Sequence, residues 1–201
     1  MALYIGLVMG VAELLMLEIV YSGKERMFGE YGLLQVVQSL FLLASAVILW
    51  VVSRSNPDYR ELCVCLALVF TVLLIRENDQ NFELWLVHGF WKWPALAVLL
   101  FLAGYFARFR RAVAEQLEGF ARTLPFGILV VAMSLLLYSR LYGGSRFWEA
   151  LLTDGYDYLA KAAAEEGTEL LALSLVLAFA IETYWLIGRR ERRRALPERA
   201  G

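Results

Sequence analysis

The residues able to do chemistry concentrate in one stretch: Arg76, Glu77, Asn78, Asp79, Gln80, Asn81 and Glu83, then His88, Lys92 and the aromatic group Phe90, Trp91 and Trp93. Carboxylates beside a guanidinium provide a general base next to an anion holder, and with His88 they offer oxygen and imidazole donors to a divalent cation. Their spacing matches no metal-binding loop, so no metal site is assigned. Six more polar residues interrupt apolar runs elsewhere: Glu13, Glu18, Gln35, Gln38, Arg140 and Glu182. A charged side chain at membrane depth costs roughly 2.5 to 3.5 kcal/mol on insertion scales, so such groups normally face other helices or a wet cavity.

Known catalytic and cofactor signatures are missing. The chain has no P-loop, dinucleotide-binding glycine pattern, C-x-x-C, haem-attachment pattern, H-E-x-x-H helix or G-x-S-x-G elbow. No cofactor is therefore expected. Cys63 and Cys65 stand two apart in an apolar run, which on a helix points them about 200° apart. They are expected to be separate apolar-facing thiols, neither a metal pair nor a redox pair.

The elements that must position these residues follow from composition. Of 201 residues 60% are hydrophobic and 19% charged, and the apolar residues fall in long runs. The net charge of -1 favours neither nucleic-acid binding nor an acidic tail. The pattern predicts an all-α, polytopic transmembrane bundle in one integral domain over residues 1–201. About six crossing helices are expected, at residues 2–21, 31–52, 61–78, 94–109, 123–142 and 169–188. A short amphipathic interfacial helix or pair of helices is expected within 146–167, between the fifth and sixth crossings, and an Arg-rich tail over 189–201. The first helix lacks a basic flank and carries Glu13 and Glu18, so it is expected to be retained and not to be a cleaved signal.

Polar patterning refines this. Gln35, Gln38 and Ser45 fall within about 80° of one another on a helix, giving the second crossing one polar face. Ala2, Gly6 and Gly10 form a small-residue ridge that would let a partner helix, or a second copy, approach closely. Asn56-Pro57 predicts a turn after the second crossing, and Pro94 the first turn of the fourth.

Threading with both termini inside puts Arg54, Arg60, Arg108, Arg110, Arg111, Arg122, Arg189, Arg190, Arg192, Arg193, Arg194 and Arg199 on the inner side. Lys24, Arg26, Arg76, Lys92, Arg140, Arg146 and Lys161 fall outside, a bias of twelve against seven in agreement with the positive-inside rule. The expected location is a cell inner membrane with cytoplasmic termini. In that threading Glu18, Gln35, Gln38, Arg76, Glu77, Asp79, His88 and Arg140 reach similar depth and could line one outward-facing polar pocket, with Glu13 and Glu182 as intramembrane acids. The function read from this is binding or transport of a small charged ligand, a cation or a lipid headgroup. Two alternatives stay open: an enzyme acting on a lipid-linked substrate, and a non-catalytic subunit packing in the bilayer against a partner.

Overall fold

The apolar runs fold as helices. The computed structural model describes residues 2–21, 32–79, 81–82, 87–152 and 158–195. Gln80, Glu83, the segment 22–30 with Lys24 and Arg26, and the end of the tail, 196–201, lie outside the described residues. Within them the chain is all-α: α1 (Ala2–Tyr21), α2 (Leu33–Ser55), a 3-10 turn (Pro57–Tyr59), α3 (Arg60–Glu77), α4 (Lys92–Phe120), α5 (Leu124–Tyr142), α6 (Ser145–Leu152) and α7 (Tyr158–Ala195).

Among the described residues, three helices are long and apolar enough to cross a membrane: Leu33–Ser55, Leu124–Tyr142 and Tyr158–Arg189. Such helices point to a membrane protein. The other expected crossings show why charge and kinks blur the pattern. α3 has only 18 residues, with Arg60, Glu61, Arg76 and Glu77 at its ends. α4 does not stop at residue 109 as expected; Phe109 departs from helical geometry (φ -115°, ψ 17°) and the helix resumes to Phe120. The kink separates an apolar half from an Arg-rich amphipathic half.

Two boundaries follow directly from local chemistry. α2 stops because Asn56 is extended (φ -131°, ψ 113°), as the residue before proline prefers, while its side chain accepts a hydrogen bond from Asp58 N at 3.0 Å. The segment 158–167, expected as a separate surface helix, instead forms the opening turns of α7. Ala160, Ala162, Ala163 and Ala164 are strong helix formers, and Gly167 does not break the helix because it serves a packing role. A Cβ there would lie 3.1 Å from Leu15 Cδ1. Glycine in mid-helix costs roughly 0.5–1 kcal/mol relative to alanine, and here it leaves room for the Leu15 side chain of α1. α6 is the short amphipathic helix expected in this region; it buries Trp148, whose indole N–H donates to Tyr142 O at 2.9 Å.

The chain forms two compact units, Met1–Leu42 with Ile128–Val176 and Leu43–Gly127 with Leu177–Gly201. In the first, Val11, Leu34 and Leu170 are buried with Leu7, Leu14, Leu15, Val37, Phe41 and Leu171 packed against them. Leu7, Val11, Leu14 and Leu15 recur at helical spacing, so one stripe of α1 meets α2 and α7.

In the second unit an aromatic core joins Phe70, Phe120 and Phe179, with Phe179 edge-on to both others at 6.1 Å and Tyr59 edge-on to Phe120 at 5.9 Å. The post-kink half of α4 lays Val113, Gln116 and Phe120 against this unit. Gln116 closes the start of α3, which has no side-chain cap of its own: its Oε1 accepts from Leu62 N at 2.9 Å and its Nε2 donates to Glu61 Oε2. Gln116 thus satisfies one of the four backbone donors that open a helix unpaired. Gln116→Ala is expected to cost about 1–2 kcal/mol, the usual effect of losing a cap, measurable as a lower unfolding midpoint in micelles. Cys63 and Cys65 are both free and buried.

Candidate functional site

The polar residues of the first unit assemble where α1, α2, α5 and the opening turns of α7 meet. α7 supplies Glu165, Glu166 and Glu169, which are helical neighbours by their three- and four-residue spacing. Arg140, in the last turn of α5, reaches Glu169 at 3.1 Å and Glu165 at 3.9 Å. Ser139 donates to Glu169 Oε1 at 3.0 Å. Lys161 sits 3.4 Å from Glu165, four residues along the same helix. The Glu165 carboxyl lies against Gly143, just past the end of α5, where a Cβ would collide with it. Glycine at 143 therefore makes room for the acid.

On the other flank, Gln38 Nε2 donates to Glu166 Oε2 at 3.1 Å. Glu18, near the end of α1, accepts from Leu33 N at 3.0 Å through Oε2 and so caps the first turn of α2. Leu15, one turn before Glu18, touches Gly167, the residue after Glu166. Gln38 stands five residues beyond Leu33, about 7 Å along the axis, and its side chain leans back toward the helix start.

Two atoms in this arrangement are left over. Glu18 is 1% exposed and Gln38 0% exposed. Among the described residues Glu18 Oε1 and Gln38 Oε1 have no hydrogen-bond donor. A buried acceptor without a donor costs about 1–3 kcal/mol, and more for a charged one. Both atoms are hard oxygen acceptors. Among the described residues, the acids Glu18, Glu165, Glu166 and Glu169 stand with the bases Arg140 and Lys161 in this unit. Among the described residues, these two oxygens lack hydrogen-bond donors. No group of three or more His, Cys, Asp or Glu side chains among the described residues is placed to hold a metal ion.

Of the residues singled out from sequence, Glu18, Gln38 and Arg140 lie in this assembly, and Gln35 is half-buried on α2 with an interaction of its own. Arg76, Glu77, Asp79 and His88 belong to the second unit. Arg76 is exposed in the last turn of α3, where a cation suits the helix dipole. Glu77 and Asp79 are half-buried and engaged, and His88 is exposed in the turn before α4, beside Gly89 at φ 77°. Glu182 is half-buried on α7 and engaged, whereas Glu13 is exposed on α1. Gly6 and Gly10 have open space where a Cβ would stand; nothing is described of the Ala2 side chain.

Sequence reasoning did not single out Glu165 and Glu166 as site residues. The signal was present: Ala162, Glu166, Glu169, Leu170 and Leu173 recur at three- and four-residue intervals, so acids share a stripe with core leucines. Comparison with protein-family models, curated proteins and solved structures finds no match to this chain.

Proposed function

We propose that this chain is an integral membrane protein that binds a hard monovalent cation at the Glu18–Gln38–Glu166 cluster, with protons competing for the same carboxylates. The observation that carries this reading is the two buried acceptor oxygens, Glu18 Oε1 and Gln38 Oε1, without a donor among the described residues, Gln38 being bonded in turn to the Glu166 carboxylate. Oxygen donors suit hard cations, and a carboxylate with an amide oxygen and few further anionic ligands suits single charge. A carrier role for that cation fits a site held among membrane helices.

The membrane setting proposed is a six-crossing bundle in a cell inner membrane, termini cytoplasmic. Besides the three spanning helices, α4 supports it by exposing Trp93, Leu96, Leu99, Leu100, Phe101 and Phe106, a surface suited to lipid and not to water. The arginine bias supports the sidedness.

A cation that binds only the folded state stabilises it by mass action. In purified protein the unfolding midpoint is expected to rise when sodium or potassium chloride replaces choline chloride at equal ionic strength, by less at acidic pH. In Glu18→Gln and Glu166→Gln the midpoint is expected to be indifferent to the salt cation. Equal midpoints in all three salts for the unmodified chain would remove the proposal.

A further inference from the structure

A second polar feature lies in the second unit, at the junction of α2, the 3-10 turn and α3. A groove of about 490 Å³ is lined by Trp50, Ser53, Arg54, Arg60, Phe101 and Tyr105, together with Pro57 and Val64. Its charged residues are two arginines, with no acid in the lining. Glu61, next in sequence to Arg60, accepts from the Gln116 amide, and its charge also reaches Tyr105 in the lining.

The two guanidinium groups are placed differently: Arg54 suits the end of its helix, and Arg60 does not. Arg60 is the first residue of α3, the end at which a helix already presents positive potential, so a cation there works against the dipole. Arg54 lies in the last turn of α2 with its guanidinium stacked over the Trp50 ring, 5.2 Å from the centroid. Both arginines are exposed. Two cations, Arg60 at the positive end of α3 and Arg54 at the end of α2, with no acid among the lining residues, suit a compact anion such as a phosphate group.

The apolar surroundings say which phosphate. From Arg54, α2 presents Trp50, Val47 and Leu43 at four-, three- and four-residue steps, all exposed, and Phe101 on α4 is exposed as well. A lipid offers both parts at once, an anionic headgroup for the arginines and an acyl chain for the stripe. Trp50 and Tyr105 have the amphipathic character that favours headgroup level. We infer that the Arg54–Arg60 groove binds the phosphate of an anionic phospholipid, its acyl chain lying along the Trp50–Val47–Leu43 stripe. This rests on α2 being a membrane helix and is independent of the cation site.

The test follows thermal unfolding of the purified chain in neutral detergent with phosphatidylglycerol, phosphatidylcholine of the same chains, or inorganic phosphate. Phosphatidylglycerol is expected to raise the midpoint, and the other two to leave it unchanged. In Arg54→Gln/Arg60→Gln the apparent affinity for phosphatidylglycerol is expected to fall about thirtyfold, two arginines' share of the attraction near an anionic surface. Arg54→Lys/Arg60→Lys keeps the charge and loses the bidentate fork, so it is expected to fall between the two and guards against a misfolded glutamine variant. Equal stabilisation by phosphatidylglycerol in the unmodified chain and both double variants would overturn the site. Inorganic phosphate protecting as well as phosphatidylglycerol would overturn the lipid assignment. Neither result would touch the sodium and potassium response expected at Glu18.

Discussion

Arg140→Ala is expected to destabilise the protein by about 2–4 kcal/mol, one of the two largest single effects foreseen. Removing one partner of a buried pair leaves the other charge uncompensated, which typically costs 3–5 kcal/mol. The lower range applies because the Arg140 side chain is 43% exposed while that of Glu169 is 6% exposed, so water screens only one end of the pair. The diagnostic is the double variant. Arg140→Ala/Glu169→Gln removes the stranded charge and is expected to recover more than half of the loss, as read from unfolding midpoints in micelles. A single variant as stable as the parent would mean that Ser139 and the Glu169 environment hold the acid without the arginine.

Phe179→Ala is expected to cost a similar amount, about 2–4 kcal/mol, for a different reason. Phe179 is fully buried and meets Phe70 and Phe120 edge-on. Large-to-small aromatic changes in water-soluble cores cost about 3–5 kcal/mol, combining transfer and cavity terms. In a membrane helix much of the transfer term is lost, because lipid is as apolar as the core, and the lost packing contacts remain. Phe179→Leu, which refills most of the volume, is expected to lose less than half as much. The comparison of the two midpoints in the same detergent checks the argument; equal losses would show that ring geometry matters more than filled space.

Much of the helical layout could be read from the sequence, and the exceptions have specific causes. Long apolar runs, broken only by single polar residues such as Glu13, Glu18 and Arg140, mark the bounds of α1 and α5 to within a residue. Asn56-Pro57 marked the stop of α2 to within a few residues for the reason the structure shows, an extended residue before proline. The end of α4 was misread because Arg108, Arg110 and Arg111 ended the apolar pattern. The backbone bends at Phe109 and continues, with Gln116 and Phe120 supplying tertiary contacts that no local pattern reveals. Residues 158–167 were assigned to a surface helix because their acids suggested water. Their alanines and Gly167 suit close packing against α1, and the acids find Arg140, Lys161 and Gln38.

The candidate site was legible in part for the same reason. Gln38, Glu18 and Arg140 stand out because each is polar in an apolar helix. Glu165 and Glu166 do not, since they occur where charge is common, and only three-dimensional proximity turns them into partners. The stretch around Arg76 to His88 is the densest in chemistry-bearing residue types, and its described residues lie in the second unit. Among the described residues, the buried oxygens without a donor, Glu18 Oε1 and Gln38 Oε1, lie in the first unit, which is why the cation is proposed there.

The most direct test of the cation assignment is equilibrium binding of radioactive sodium or rubidium to the purified chain, with Glu18→Gln and Gln38→Leu as controls. The expected result is saturable retention by the parent, displaced by acid, and retention lost in both variants while their helicity persists. No saturable retention by folded parent protein, or equal retention by all three chains, would contradict a cation held by Glu18 and Gln38.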